Sequence, residues 1–137
     1  MERLMWKADY SVGINAIDGQ HRKIFESLLA LESAFEKKKP WHIVRYLLAQ
    51  LTENLELHWV TEEALLEIIH YPHIEKHNQS HAKLKNALTE LENHLREHQS
   101  MDGLVKFFEA WFIEHVLAAD LHYIDYARRK FPAEFSN

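Results

Sequence analysis

Apolar side chains recur along this chain in alternating steps of three and four, the spacing that lines one face of an α-helix. Ile17, His21, Ile24, Leu28, Leu31 and Phe35 make the first stripe. Val44, Leu48, Leu51, Leu55, His58, Glu62, Leu65 and Ile69 make the second, the longest without a break. Ile74, His77, His81, Leu84, Leu88, Leu91 and Leu95 make the third, and Leu104, Phe108, Trp111 and His115 a fourth that then loses register. The stops between them are physical. Lys37-Lys38-Lys39 supplies cations suited to a helix C-terminus, and Pro40 forbids continuation. Pro72 disfavours a helical Tyr71, and a turn around Gln99–Gly103 separates the third and fourth stripes.

Asp18 is the expected N-cap of the first helix. Residues 1–17 have no helical period and read as an extended arm, with Gly13 allowing a bend. His122, Tyr123, Tyr126 and Phe131 read as a short C-terminal helix within a tail over 122–137. Four amphipathic helices with short connections predict an all-α fold, an up-down-up-down antiparallel four-helix bundle over about 18–121, in a single domain covering 1–137.

The stripes carry the wrong residues at one height. His21, His58, Glu62, His77, His81 and His115 stand in seams where leucine is expected, and imidazole or carboxylate in a core costs free energy unless something satisfies it. Asp120 follows His115 by five residues, about 140° round an ideal helix, so it reaches the same interior point only obliquely or through a local π-bulge. Counted from each turn, the seven residues fall at levels that agree within about two helical turns. Five imidazoles and two carboxylates in one layer call for cations, and two divalent metals suit them. If both carboxylates and a solvent-derived oxygen bridge the pair, the histidines divide three and two. One metal is then five-coordinate and open to a small ligand. Nitrogen and oxygen donors without sulfur suit iron, and manganese, cobalt or zinc also fit.

Composition narrows the rest. Cysteine is absent, which excludes disulfides, thiolate metal sites and cysteine nucleophiles. A formal net charge of −5 argues against nucleic acid as the main partner. No basic segment followed by an apolar run opens the chain, and no uninterrupted apolar stretch approaches about 18 residues. The expectation is a cytoplasmic domain with no membrane insertion. Of 11 histidines, His42, His70, His73, His94, His98 and His122 fall outside the polar layer and read as surface residues. Glu63 and Glu67 also fall off the second stripe and read as solvated.

Trp6-x-x-x-Tyr10-Ser11-Val12-Gly13, Ile17-Asp18-x-Gln20-His21, His58-x-x-x-Glu62-Glu63, Tyr71-Pro72, His77-x-x-x-His81 and Trp111-x-x-x-His115-x-x-x-x-Asp120 together resemble the haemerythrins, specifically the single-domain bacterial ones, along nearly the whole chain. The resemblance implies a non-haem site of two iron ions bridged by Glu62, Asp120 and an oxo or hydroxo group. His77, His81 and His115 would belong to the saturated iron, and His21 and His58 to the open one. It further implies reversible O2 binding for storage, transport or delivery, by a carrier rather than an enzyme. The implied partners are O2 and an oxygen-consuming enzyme or reductase. The alternatives are an O2 or redox sensing module acting through a partner, and a di-iron redox enzyme acting on peroxide or nitric oxide. Three positions depart from the family's usual residues: Trp59 for Phe, Leu84 for Phe, and Phe112 for a smaller aliphatic. Trp59, Trp111 and Phe112 are the residues expected to line an O2 pocket. A simple repacking of the core is weighed there against a changed pocket volume.

Overall fold

A computed structural model of the chain describes residues 13–98, 100–101, 103–111 and 120–135. It holds α1 (Asn15–Glu36), α2 (Trp41–Ile68), α3 (Ile74–His98), α4 (Leu104–Ala110), α5 (Leu121–Lys130) and α6 (Pro132–Phe135). There is no strand among the described residues.

The first helix starts earlier than its capping signal suggested. Ile14 is the cap residue, and Asp18 lies inside the first turn, 4% exposed. Ile17 explains the shift: it belongs to the buried seam, so the backbone is already helical when it reaches the core. Asp18 still serves the helix, as an acid beside the positive end of its dipole. Gly13 does make the bend, with φ +84, and its carbonyl accepts a hydrogen bond from the Arg128 guanidinium at 2.9 Å. Trp6 and Tyr10 of the arm lie outside the described residues.

Helices α1 and α2 end in the same way, without glycine. Lys38 after α1 and His70 after α2 adopt φ 54 and φ 52. Each turn is closed by paired backbone bonds, Lys38 to Phe35 and Lys39 to Ala34 in the first, His70 to Glu67 and Tyr71 to Leu66 in the second. This is the reciprocal pattern that satisfies the last carbonyls of a helix.

The helices pack as consecutive neighbours, α1 on α2, α2 on α3 and α3 on α4. The directions follow from the cross-contacts. Gln20 meets Thr61 while Ser27 meets Asn54, so α1 and α2 run antiparallel. Thr52 meets Glu92 while Glu63 meets His81, so α2 and α3 do too. Gly103, opening α4, sits against Leu91 near the end of α3. The result is the expected bundle, its core filled by Ile24, Leu28, Leu31, Leu48, Leu51 and Leu55 from the predicted seams, with Leu66 rather than the expected Leu65 fully buried in α2. Among the described residues no helix is long and apolar enough to cross a membrane.

Candidate metal centre

Because α1 and α2 are antiparallel and in register, the seam positions His21 and His58 face each other, Nε2 to Nε2 at 3.1 Å. Two imidazole nitrogens that close need either a proton between them or a cation that takes both lone pairs. Asp120 comes in from the far end of the chain, with Oδ2 at 3.6 Å from His21 Nε2 and 3.9 Å from His58 Nε2. Its other oxygen, Oδ1, lies 3.2 Å from His77 Nε2. Glu62, one turn beyond His58, sets Oε1 at 2.9 Å from His58 Nε2 and 3.2 Å from His81 Nε2. The two carboxylates therefore each touch histidines from both halves of the site, as bridging groups should.

His21, His58 and Asp120 make one group, and Glu62, His77 and His81 another; in each, the possible ligand atoms lie within 4.8 Å of one another. All six side chains are buried, five of them 1% exposed or less and His77 6%. The donor set fits a pair of cations. Four imidazoles turn Nε2 inward, both carboxylates lie between them, and the division of histidines separates His21 and His58 from His77 and His81.

Neighbouring residues hold two of those ring orientations. His58 Nδ1 lies 2.9 Å from Gln20 Oε1, and the Gln20 amide in turn donates to Thr61 Oγ1 at 3.2 Å. His81 Nδ1 lies 3.2 Å from Glu63 Oε1, and Lys85 Nζ approaches the same oxygen at 4.0 Å. An Nδ1–H donated outward fixes the tautomer that leaves Nε2 free to bind metal. Glu63 is thus not merely solvated, as its place off the stripe suggested. Its side chain is long enough to reach round to His81.

Without a cation the centre is electrostatically uncomfortable. Burial, the Glu62 charge and a hydrogen bond with Glu62 hold the Asp120 carboxyl well above the usual value. Tyr123, fully buried on α5, feels the same charges. Burial, then the charges of Glu62 and Asp120, then a hydrogen bond with Glu62, push the phenol pKa well up.

Six of the seven expected ligands are brought together, and the seventh, His115, lies outside the described residues. The π-helical backbone at Trp111 and at Asp120, on either side of that stretch, agrees with the expected departure from ideal register. Of the pocket residues, Trp111 packs edge-on to His21 and His58 at 6.0 and 6.2 Å between centroids. Trp59 lies against His81 instead, at 5.9 Å, with Lys85 over its ring. Phe112 lies outside the described residues. Leu84 and Trp111 line a cavity of about 310 Å³ between α3 and α4, together with Ser80, Lys83, Ala87, Phe107 and Ala110. Gln20, Glu63 and Tyr123 escaped the periodicity. The signal for the first two is chemical, since a metal-bound histidine needs an acceptor for its second nitrogen.

An all-helical bundle with two buried histidine–carboxylate groups side by side defines a cation-binding protein of the helical-bundle class. The chain belongs to the hemerythrin HHE cation binding domain family, which it matches over residues 12–127. It is similar to the bacteriohemerythrin of Clostridium acetobutylicum, 28% identical over 129 residues that cover 88% of this chain and 98% of that protein. It is also similar to the bacteriohemerythrin of Pseudomonas aeruginosa strain PAO1, 26% identical over 93% of this chain and 84% of that protein. A hemerythrin-like protein of Naegleria fowleri is 22% identical over 86% of this chain and 88% of its own length. No solved structure matches significantly.

Proposed function

We propose that the chain binds O2 reversibly at two iron ions held by His21, His58, Glu62, His77, His81, His115 and Asp120. The observation that carries this reading is the convergence of four inward Nε2 atoms and two carboxylates, all buried, from α1, α2, α3 and the segment leading into α5. Membership of the hemerythrin family supports iron as the metal. When bound, the iron pair supplies the electrons that hold O2, and their return releases it.

The protein's own residues do the rest. Glu62 and Asp120, each against histidines of both groups, would hold the two ions between the groups. Gln20 and Glu63 hold His58 and His81 in the tautomer that ligates through Nε2. Trp111, 1% exposed against His21 and His58, shields from water the side on which a vacancy would lie. Two carboxylates with neutral imidazoles carry less negative charge than the carboxylate-rich di-iron sites, so they stabilise high-valent iron less and favour binding over O–O cleavage. The reading is of storage, transport or delivery of O2, with an oxygen-consuming enzyme or a reductase as the protein partner.

The test is metal content together with visible absorption of the reduced protein before air, after air and after degassing. Two irons per chain and a charge-transfer band that forms in air and vanishes on degassing support the carrier. A band that never forms, or that collapses at once to the oxidised form, overturns it in favour of redox enzymology on peroxide or nitric oxide.

A further inference from the structure

The outer face of α2 is apolar where the outer faces of its neighbours are polar. Arg22, Lys23 and Glu26 on α1 and Lys83, Asn86 and Glu90 on α3 are the exposed residues expected of helices with one buried stripe. Of the six large hydrophobic side chains exposed among the described residues, five lie on α2: Ile43, Tyr46, Leu57, Val60 and Ile68. Scattered apolar residues on a surface are ordinary, but these share one helix. Leu57, Val60, Ala64 and Ile68 follow in steps of three and four, on the side of α2 away from the buried His58 and Glu62. Leu57, Val60 and Ile68 are 57%, 59% and 72% exposed. From Leu57 to Ile68 the stripe runs about 16 Å, or about three helical turns.

One edge of the stripe is acidic. Glu56, Glu63 and Glu67 stand seven and four residues apart along the flank nearer α3, where Glu63 reaches His81. No Lys or Arg occurs from residue 46 to residue 75, and Lys85 of α3 comes no nearer to Glu63 than 4.0 Å. We infer that this face of α2 docks an amphipathic helix of a partner protein. The partner's apolar stripe meets Leu57, Val60 and Ile68, and its flanking Lys or Arg side chains meet Glu56, Glu63 and Glu67. Charge selects that occupant. In an antiparallel pair of identical helices each flank meets its own copy, so a second α2 would set glutamates against glutamates, which is costly. A parallel pair would set them against the uncharged flank of Asn54 and Thr61. An anionic lipid surface is repelled by the same edge. Recognition of a helix by a surface of this kind draws affinity from apolar anchors three and four residues apart, and register from the flanking charge. Glu63 belongs both to the acidic edge and to the support of His81, so the docked helix lies one hydrogen bond from the candidate centre. Nothing in this surface depends on which small ligand the metals bind.

The probe is a fluorescein-labelled helical peptide of about 18 residues, with leucine in steps of three and four, lysine on both flanks, and alanine and glutamine elsewhere. Its twin carries glutamate in place of lysine. Fluorescence anisotropy with the full chain should show micromolar binding of the lysine peptide at low salt, about tenfold tighter than the twin or more. Leu57→Ser combined with Ile68→Ser should weaken that binding about tenfold. Glu56→Gln combined with Glu67→Gln should weaken it severalfold and flatten its fall with added salt. Glu90→Gln combined with Glu97→Gln removes as much charge from exposed positions of α3 and should leave the affinity unchanged. The side chains replaced on α2 are all exposed, and an unchanged midpoint in chemical denaturation confirms the intact bundle. Equal affinity for the two peptides, or unaltered binding by the Leu57→Ser, Ile68→Ser chain, overturns the inference. So does a chain that sediments as a dimer and becomes monomeric in that double variant, which makes the face a contact between copies. Binding to phosphatidylcholine vesicles that the same variant loses overturns it in favour of a lipid surface.

Discussion

Replacing Glu63 isolates the support of one candidate ligand from the ligand itself. Glu63 Oε1 is 3.2 Å from His81 Nδ1, and its side chain is 34% exposed, so the fold does not depend on it. Removing an outer partner of a metal-bound histidine typically costs about 10–100-fold in metal affinity. Partial exposure screens the charge, and glutamine keeps an acceptor oxygen at the same reach. Glu63→Gln should therefore fall at the low end, about tenfold or about 1.4 kcal/mol. Glu63→Leu removes the acceptor altogether and should approach about 100-fold. Lys85→Ala, which deletes the cation 4.0 Å from the same carboxylate, should change affinity less than either and lose its effect in high salt. The assay is competition with a chelator at fixed pH, read as metal retained per chain, with circular dichroism to confirm an intact bundle. Glu67→Gln, on an exposed position of the same helix, is the control. Equal retention by Glu63→Leu and the unmodified protein would refute the argument that this carboxylate orients His81.

Three further outcomes follow from the geometry. In the metal-free chain Asp120 has a raised pKa, so its contribution to stability is present below the ordinary carboxylate range and is lost as pH rises through the raised value. Thermal melts of the metal-free protein should fall as pH increases, the trend should weaken in Asp120→Asn, and added metal should abolish it. Gly13→Ala places a Cβ 2.6 Å from the Arg128 guanidinium at a positive φ, and should cost about 2 kcal/mol in chemical denaturation from strain and a disturbed hydrogen bond. Lys38→Gly relieves a left-handed residue at the end of α1 and should stabilise by about 1 kcal/mol, raising the melting midpoint by about 3 °C.

The bundle was legible because each helix has one buried stripe, and prolines at 40 and 72 mark two of the turns. The helix ends were less so. Asp18 is a good capping residue by type, but the need to bury Ile17 set the start of α1. The left-handed turns at Lys38 and His70 carry no glycine to announce them, since the closing hydrogen bonds and buried flanks hold them there. At the centre, periodicity found the residues that point inward along the shortest path. It was silent on Glu63, which leaves its helix on the wrong side and bends back. It was also silent on Tyr123, which follows the π-helical backbone at Asp120 and carries no stripe of its own. Both are found by asking what a buried imidazole or carboxylate has to touch.

The candidate ligands begin at His21 and end at Asp120, on the first long helix and just before α5. No fragment emerging from the ribosome carries the whole set until nearly all of this chain has been made, and domains in any case fold as units. Metal insertion is thus a late event in the life of each molecule. Helices α1 to α3 bring five of these polar groups together before Asp120 is added. The supply of metal at that moment, rather than the rate of synthesis, should set how much of the protein reaches its finished form.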